Sequence, residues 1–451
     1  MIINIVRVMA RYRSGIHPGL YWSAAFLLLA LSPLLLLIVT IKPAATGQGM
    51  AWDFSLALGF AVLALMLLMF VLTSRFHRLA APFGIDLVYY FHRQIAIGLM
   101  LLALAHAGIV LLSEPALSAW LLPPAPIHML AGSLALLSLL LLVVVSVSRR
   151  HMKVRYEFWR RSHLLLAVAA VVAAVIHISG VNHYSNSPPM QMLVAAVLVI
   201  WLILVLRVRL FKPWKLARHP WQVVSVKPER GRAVTLDLKP QRHGELCFAP
   251  GQFAWLTVHQ SPFAMAEHPF SIASSAEHSD SVSFTIKALG DFTGGLQQTK
   301  PGTTVYVDGP YGTFSVDTVD ADSLFFIAGG IGIVPIMSML RTLADRNDPR
   351  PITLVYAAND LNSMTFYEEL QPLAAGLQLT LMLVLAKPPD DWTGARGFVG
   401  QSLLKECIPD ATHRVHYFLC GPPAMQRATE AALHQCGVRF GQIHSELFNL
   451  V

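Results

Sequence analysis

Charged residues are scarce in this sequence. Only 13% of its 451 residues are Asp, Glu, Lys or Arg, whereas 55% are hydrophobic. Soluble globular domains carry about 25% charged residues, so a wholly soluble protein is excluded and a membrane-embedded part is expected. The first half holds long uncharged stretches, and acids and bases are interspersed from about Trp214 onward. This shift in composition predicts a boundary between a membrane part and a soluble part.

Cysteine is also rare. Four cysteines, none in CxxC spacing, all lie in the second half: Cys247, Cys407, Cys420 and Cys436. Neither a disulfide framework nor a zinc site is indicated, which fits a reducing cytoplasm. The net charge of +8 does not indicate a nucleic-acid partner, because the Lys and Arg residues cluster beside apolar segments rather than on one soluble face.

Six apolar stretches have the length of a membrane-spanning helix, which is about 20 residues. They cover residues 20–41, 54–73, 88–112, 129–148, 162–178 and 192–206. The first lacks a short hydrophobic region followed by a small-residue cleavage site, so we expect it to be retained rather than removed as a signal peptide. Short connections predict one compact six-helix transmembrane bundle.

Basic residues beside these spans predict their direction. Lys42 alone flanks one side, and the other side carries Arg7, Arg11, Arg13, Arg75, Arg78, Arg149, Arg150, Lys153, Arg155, Arg160 and Arg161. Because Lys and Arg are enriched in cytoplasmic flanks, we expect a multi-pass protein of the cell (inner or plasma) membrane with a cytoplasmic amino terminus. Six spans then place the carboxy-terminal half in the cytoplasm as well.

Histidines mark two depths in the predicted bundle. The spans contain His92 and His106 in the third, and His163 and His177 in the fifth, so both pairs are separated by fourteen residues. In an α-helix each residue turns the chain by about 100°, so residues fourteen apart differ by roughly 40° in direction around the axis. The two histidines of each helix therefore lie on one face, about 21 Å apart along the axis.

Two parallel helices with imidazoles at matching heights predict two bis-histidine haems, with His92 opposite His163 and His106 opposite His177. Haem with both axial positions filled by protein suits electron transfer, and two such sites bridge the hydrocarbon. The alternative is a proton relay or a helix–helix hydrogen bond. Duplicated spacing, and the lack of a carboxylate in any predicted span, favour haem ligation.

The soluble half shows two patterns. From 221 to 316, short alternating segments separated by Pro and Gly turns predict a small antiparallel β-barrel. From 323 onward, buried strand-like runs at 324–328, 352–357, 379–385 and 416–420 alternate with helical segments and predict a parallel α/β sheet. We therefore expect three domains, at 1–213, 214–319 and 320–451.

A glycine turn follows the first of these parallel strands, with Gly329, Gly330, Gly332 and then Pro335. Glycines there allow a pyrophosphate to approach the amino terminus of a helix. The turn is not the GxGxxG fingerprint, and taken alone it is as often mere packing between strand and helix. The motifs around it favour cofactor binding.

Several motifs in order resemble the NADPH oxidase and ferric reductase superfamily, whose members join a transmembrane haem domain to a ferredoxin-NADP reductase-like FAD/NAD(P) module. The resemblance covers nearly the whole chain. It rests on the paired histidines, the glycine turn and four further motifs: His268-Pro269-Phe270-Ser271-Ile272; Ile286-Lys287 followed by Gly290-Asp291-Phe292-Thr293; Asp308-Gly309-Pro310-Tyr311-Gly312; and Cys420-Gly421-Pro422-Pro423.

The resemblance implies an FAD site. Residues 268–271 line the isoalloxazine, with Ser271 bonding near flavin N5, and the pair 286–287 belongs to a flavin-binding motif. Lys287 and Thr293 hold the FAD pyrophosphate, for which a cation and the amides at a helix start are suited. Taken singly, an exposed lysine and a helix-capping threonine are commonplace.

The resemblance also implies an NAD(P)H site. The glycine turn binds the nucleotide, and Cys420, with Gly421 and Pro422, lies beside the nicotinamide, although a buried inert thiol is its simpler interpretation. Phe448 resembles the aromatic residue that covers the flavin until nicotinamide displaces it, but three residues follow it here, whereas many oxidases end on the aromatic.

The sequence departs from the family at two places. Asn359-Asp360 follows the second parallel strand, where NADPH-preferring relatives often carry an arginine for the ribose phosphate, so NADH and NADPH both stay open. Arg396 is an alternative phosphate ligand or an ordinary solvated charge. Val110 stands one turn beyond His106, where animal oxidases carry another histidine, which weakens the case for dioxygen as the dedicated acceptor.

These observations predict an oxidoreductase that passes electrons from cytoplasmic NAD(P)H through FAD and two b-type haems to an extracytoplasmic acceptor. We favour a metal chelate such as ferric chelate, because the outer loops carry one carboxylate, Glu114, and no cluster of hard ligands for bare iron. The alternatives are an oxidase forming superoxide and an electron-relay protein that serves an extracytoplasmic partner protein. A transporter with a regulatory nucleotide domain predicts no haem.

Overall fold

The structure is a computed structural model. It describes residues 23, 24, 26–32, 35, 36, 39, 49–75, 85–149, 151–278, 280–408 and 414–446. The chain divides after Pro213 into two compact units. The first consists of helices, and the second contains two six-stranded β-sheets.

Five long helices form the described part of the first unit: α1 (Met50–Thr73), α2 (Ile85–Ser113), α3 (Ile127–Ser148), α4 (Tyr156–Val181) and α5 (Pro188–Leu206). Helix α5 continues through a π-helical turn at Arg207–Phe211 into α6 (Lys212–Ala217). Among the described residues, five helices are long and apolar enough to cross a membrane. They coincide with the last five predicted spans. The first, 20–41, is described only in part, at residues 23, 24, 26–32, 35, 36 and 39, so the count of six stays a prediction.

These helices are apolar on all sides, as expected for a bilayer and unlike an amphipathic soluble helix. Phe60, Leu63 and Leu99 pack between helices and are less than a tenth exposed, whereas Leu137 and Leu165 on outward faces are 52% and 69% exposed. Every backbone polar group inside hydrocarbon needs an internal partner, and a helix supplies one. The first unit is therefore built for a membrane.

The first sheet of the second unit is antiparallel, as the sequence predicts. Its strands lie in the order β4-β3-β6-β1-β2-β5, and an isolated bridge between Ile272 and Phe284 brings the two edges together, so that the sheet curls into a barrel. The strands are β1 (Trp221–Glu229), β2 (Ala233–Pro240), β3 (Phe253–Val258), β4 (His268–Ser271), β5 (Val282–Lys287) and β6 (Thr304–Tyr311). One helical turn, α7 (Asp291–Gly295), follows β5.

The second sheet is parallel, which confirms the predicted α/β pattern. Its strand order is β10-β9-β8-β7-β11-β12, and the buried runs of the sequence form its centre. The strands are β7 (Ser323–Gly329), β8 (Ile352–Ala358), β9 (Leu379–Leu385), β10 (Ala395–Arg396), β11 (Val415–Cys420) and β12 (Ile443–Glu446). The helices are α8 (Ile333–Asp345), α9 (Tyr367–Gly376), α10 (Gln401–Cys407) and α11 (Pro423–Gln435).

Helix α8 fastens the barrel to the parallel sheet. Its Ser338 Oγ donates to Ser274 O at 2.8 Å, and its Arg341 donates to Ala273 O at 2.6 Å. Arg341 also makes a two-bonded ion pair with Glu369. The segment directly after β4 is thus bonded to the helix that begins at the glycine turn, which fixes these two parts relative to each other.

Candidate functional site

The structure brings the four intramembrane histidines together as two pairs. On α2 and α4, the ring centres of His92 and His163 lie 6.3 Å apart, and those of His106 and His177 lie 6.4 Å apart. Two imidazoles that bind one metal ion from opposite sides, through bonds of about 2 Å, have ring centres about 6 Å apart. Both pairs therefore have the separation that a shared haem iron requires.

Hydrogen bonds fix the tautomer of the second pair. The Nδ1 atom of His106 lies 2.8 Å from Ser55 O, and that of His177 lies 2.9 Å from His128 O. A carbonyl oxygen only accepts, so each Nδ1 carries the hydrogen and each Nε2 keeps its lone pair. Metal-binding histidines commonly donate their other nitrogen to such an acceptor.

A serine and a tryptophan fix the tautomer of His163. Ser146 Oγ donates to Leu142 O at 2.6 Å, so it accepts from both Trp159 Nε1 and His163 Nδ1, each at 3.1 Å. The Nε2 of His163 is thus free to bind iron. Among the described residues, Nδ1 of His92 has no partner. The first pair is therefore held less firmly than the second.

Two glycines make room for the second pair. A Cβ at Gly59 would lie 3.2 Å from Cε1 of His106, and one at Gly132 would lie 2.7 Å from Nδ1 of His177. Both glycines are on neighbouring helices, α1 and α3. Sequence reasoning missed them, together with Ser55, Ser146 and Trp159, because only tertiary packing sets them against the histidines.

The helices extend beyond the predicted spans, and these extensions contain carboxylates. Asp53 lies in the first turn of α1 and Glu157 in the first turn of α4, so carboxylates are present at the ends of these helices. Tyr184 in the following loop donates to Asp53 at 2.6 Å. Burial, together with this bond, raises the pKa of Tyr184 to about 12, so the phenol is neutral. His183 beside it is exposed.

Strand β4 carries the predicted flavin-binding residues. His268 stacks on Phe292, with ring centres 3.9 Å apart, and the ring of Phe270 is nearly parallel to Phe292 at 6.2 Å. Pro269 pairs with Trp255 on β3, and Ser271 at the strand end is buried. Phe292 was not among the predicted site residues. Its place in the 290–293 motif was the signal available.

The polar groups predicted for the FAD pyrophosphate lie around α7. Ile286 is buried in β5, and Lys287 ends that strand. Thr293 Oγ1 accepts from the amides of Leu289 and Gly290 at 2.9 and 3.0 Å, so this hydroxyl holds its own turn. The amide of Gly294 likewise donates to Gly290 O.

The predicted nucleotide residues meet at the carboxyl ends of β7 and β11. The sheet order reverses between these strands, and ligands of open α/β sheets bind at such a reversal. A Cβ at Gly332 would lie 2.3 Å from Cys420 O, and one at Gly329 would lie 2.8 Å from Pro422 Cδ. A Cβ at Gly421 would lie 3.1 Å from the Cα of Gly329. Only glycines therefore permit this closeness.

Cys420 itself is fully buried, and burial raises the pKa of its thiol, so it is neutral at physiological pH. Gly330 has a positive φ of 53°, and Pro335 lies in the first turn of α8, where the missing amide costs nothing. Arg396 lies on the edge strand β10 and donates to Asp390 O and Trp392 O of its own loop. Phe448 lies outside the described residues.

Three family models match the chain in succession. The ferric reductase like transmembrane component matches residues 58–174, an FAD-binding domain matches 218–315, and the oxidoreductase NAD-binding domain matches 326–431. The first covers His92, His106 and His163 and ends three residues before His177. The other two cover the barrel and most of the parallel sheet.

Curated relatives match about half of the chain. The glycine betaine monooxygenase reductase subunit of Chromohalobacter salexigens is 28% identical over 242 residues, which are 52% of this chain and 65% of the relative. The propane 2-monooxygenase reductase component of Mycolicibacterium smegmatis is 29% identical, over 45% of this chain and 60% of the relative. The chain thus spans less than two thirds of either protein.

Two solved structures also match about half of the chain. The FAD/NAD-binding domain of nitric oxide dioxygenase from Vibrio cholerae is 23% identical, with a TM-score of 0.46, over 51% of this chain and 98% of that one. A ferredoxin NADP+ reductase from Neisseria gonorrhoeae is 19% identical, with a TM-score of 0.44, over 50% of this chain and 97% of that one.

Proposed function

Because the chain belongs to the NADPH oxidase and ferric reductase superfamily by its three matched domains in this order, we propose that it reduces an extracytoplasmic acceptor with electrons from cytoplasmic NAD(P)H. It is an oxidoreductase with a membrane domain and an FAD- and NAD-binding reductase module. Bound FAD would convert hydride into single electrons, and two b-type haems would carry these across the membrane.

The observation that carries the proposal is the geometry of the histidine pairs. Each pair has ring centres 6.3 or 6.4 Å apart, and three of the four rings have Nδ1 bonded so that Nε2 is the metal-binding nitrogen. A proton relay would need titratable partners beside these rings instead. His92 and His163 would hold the cytoplasmic-side haem, and His106 and His177 the outer one.

In the reductase module, each group of residues has a separate task. His268, Pro269, Phe270 and Ser271 would line the flavin, and Ile286, Lys287 and Thr293 would bind along its phosphate chain. The glycines at 329, 330 and 332, with Pro335, would admit the nucleotide pyrophosphate to the start of α8. Neutral Cys420, with Gly421 and Pro422, would pack beside the nicotinamide, and Phe448 would cover the flavin until nicotinamide displaces it.

A ferric chelate is the acceptor that we favour. Val110 stands where a further histidine would support oxygen chemistry, and the outer loops present Glu114, His128, His183 and Tyr184 rather than a cluster of carboxylates. A chelated metal brings its own ligands and needs only to come close enough to the outer surface to receive an electron. Bare ferric ion would need hard oxygen ligands from the protein.

A second candidate is an electron-relay protein that passes electrons to another protein. The names of two relatives support it, because they are reductase components of monooxygenases. Each of those proteins matches only about half of this chain, so their names do not identify its acceptor. A relay protein would show little turnover without its partner.

The test uses purified full-length protein under anaerobic conditions, with NADH or NADPH, a ferric chelate and a chromogenic ferrous chelator. We expect a reduced-minus-oxidised haem spectrum and steady formation of ferrous iron without added protein. Superoxide formation in air with little anaerobic iron reduction would favour the oxidase alternative. Haem reduction without turnover of either acceptor would favour the relay protein, and absence of haem would refute the proposal.

A further inference from the structure

The loop after β8 begins beside the glycine turn, because Ala357 near the end of β8 pairs with Gly329. Strand β8 is the neighbour of β7, whose glycine turn receives the pyrophosphate in the proposed function, so the far side of a bound dinucleotide extends over the end of β8. In dinucleotide-binding sheets an acid near the adenosine ribose accepts a hydrogen bond from the 2′-hydroxyl of NADH, whereas a cation there accommodates the 2′-phosphate of NADPH. Asn359 and Asp360 occupy this strand end.

The Asp360 carboxylate is fixed in place. Its Oδ1 accepts from Ser363 N at 2.9 Å and from Ser363 Oγ at 2.8 Å, across the short helical turn Leu361–Ser363. Both bonds use the same oxygen, so Oδ2 is left to accept from a ligand. A carboxylate held in this way presents one oriented acceptor at little entropic cost.

The hairpin between β1 and β2 holds the whole loop. Gly231 N donates to Asn362 O at 2.7 Å, and Arg230 donates to Leu361 O at 3.3 Å. Thr365 Oγ1 in turn donates to Arg230 O at 3.1 Å. The loop therefore has no freedom to turn Asp360 away from an incoming phosphate.

Two arginines considered for offsetting this negative charge, Arg230 beside the loop and Arg396, already have partners. Arg230 is paired with Glu368, and the Arg396 guanidinium donates to two carbonyl oxygens of its own loop. Lys387 lies next to Asn359, since its amide donates to Asn359 O at 2.7 Å, but its side chain is exposed. An exposed lysine on a flexible stem contributes little compared with a fixed charge.

We propose that Asp360 is the specificity-determining residue of the nucleotide site and that the protein prefers NADH to NADPH. This inference rests on the proposed function. Asp360 would accept the 2′-hydroxyl of NADH and repel the 2′-phosphate of NADPH, because like charges brought together at a binding site are strongly unfavourable.

The experiment follows anaerobic reduction of the flavin at full length, by its absorbance, with NADH and with NADPH. We expect kcat/KM for NADH to exceed that for NADPH by about tenfold or more. Asp360→Asn keeps both bonds from Ser363 and removes only the charge, so it should raise kcat/KM for NADPH by about tenfold, with little loss for NADH. The matched control is Asp391→Asn, in an exposed loop, which should leave the ratio unchanged.

A second readout compares how well two adenosine nucleotides compete with NADH for binding. Adenosine 5′-monophosphate should compete with NADH better than adenosine 2′,5′-bisphosphate in the unaltered protein, and Asp360→Asn should narrow that difference. A preference for NADPH, or an unchanged ratio in Asp360→Asn with normal flavin content, would overturn the inference alone. Failure of both nucleotides to reduce the flavin would overturn the proposed function, and this inference with it.

Discussion

The four paired imidazoles differ in what holds their second nitrogen. His106 and His177 each donate to a backbone carbonyl, His163 donates to the Ser146 hydroxyl, and His92 has no acceptor in the described part of the chain. A ligand that donates a hydrogen bond through Nδ1 gives more electron density to the metal, which stabilises the oxidised iron. In the proposed function, Ser146 and Trp159 would therefore be positioning residues for one haem.

Replacing Ser146 with alanine should raise the midpoint potential of the haem held by His92 and His163. Losing one hydrogen bond of ordinary strength corresponds to a shift of about 20–60 mV for a one-electron couple. A redox titration followed by haem absorbance measures this shift. Ser138→Ala, a buried serine on the same helix, is the control and should leave both potentials unchanged. Equal potentials in Ser146→Ala and the unaltered protein would contradict this role.

Among the secondary-structure elements, the approach of α3 to α4 is set by a glycine. A Cβ at Gly132 would lie 2.7 Å from Nδ1 of His177, closer than van der Waals contact allows. Gly132→Ala should therefore displace the imidazole from the carbonyl oxygen to which it donates. We expect loss of the haem at this level and retention of the other, that is, about half the haem content per chain.

The measurement for Gly132→Ala is haem per polypeptide by the pyridine haemochrome assay. Gly108→Ala on α2 is the matched control, because a Cβ there meets nothing within 4 Å, and it should keep the full haem content. Equal haem content in the two variants would show that the contact at Gly132 does not limit ring placement.

Elements with a strong hydropathy pattern were predictable from the sequence. The parallel strands β7 and β11 coincide with predicted buried runs of the sequence, since a strand covered on both faces is continuously apolar. Helix α4 begins at Tyr156, six residues before its predicted start. The prediction began too late because the charged residues of the first turns resemble a loop when only hydropathy is considered. Charged residues at the ends of spans are common at a membrane interface.

The site was predictable only in part. Matched spacing gave the four histidines, because helical geometry fixes which residues share a face. The supporting groups of Ser55, Ser146 and Gly132 come from helices whose side-by-side placement no local pattern records. The engagement of Arg396 by its own loop likewise depends on the fold of residues 390–396.

At the scale of the whole molecule, the proposed function requires the reductase module to lie in the cytoplasm. All four cysteines belong to that module, and Cys247 is exposed. A membrane-impermeant maleimide should therefore label inside-out vesicles and leave intact cells unlabelled. Cys247→Ser should remove most of the label, since Cys420 is buried. Labelling of intact cells would contradict the predicted orientation.

In the proposed function, transfer of electrons through the bilayer would depend on iron held at two depths by the paired histidines. The most direct measurement is the haem content and the reduced-minus-oxidised spectrum of the full-length protein and of His106→Leu and His177→Leu, each purified with its flavin retained. The account predicts two haems per chain in the unaltered protein, one in each variant, and loss of ferric chelate reduction in both variants. Two haems in either variant, or none in the unaltered protein, would contradict it.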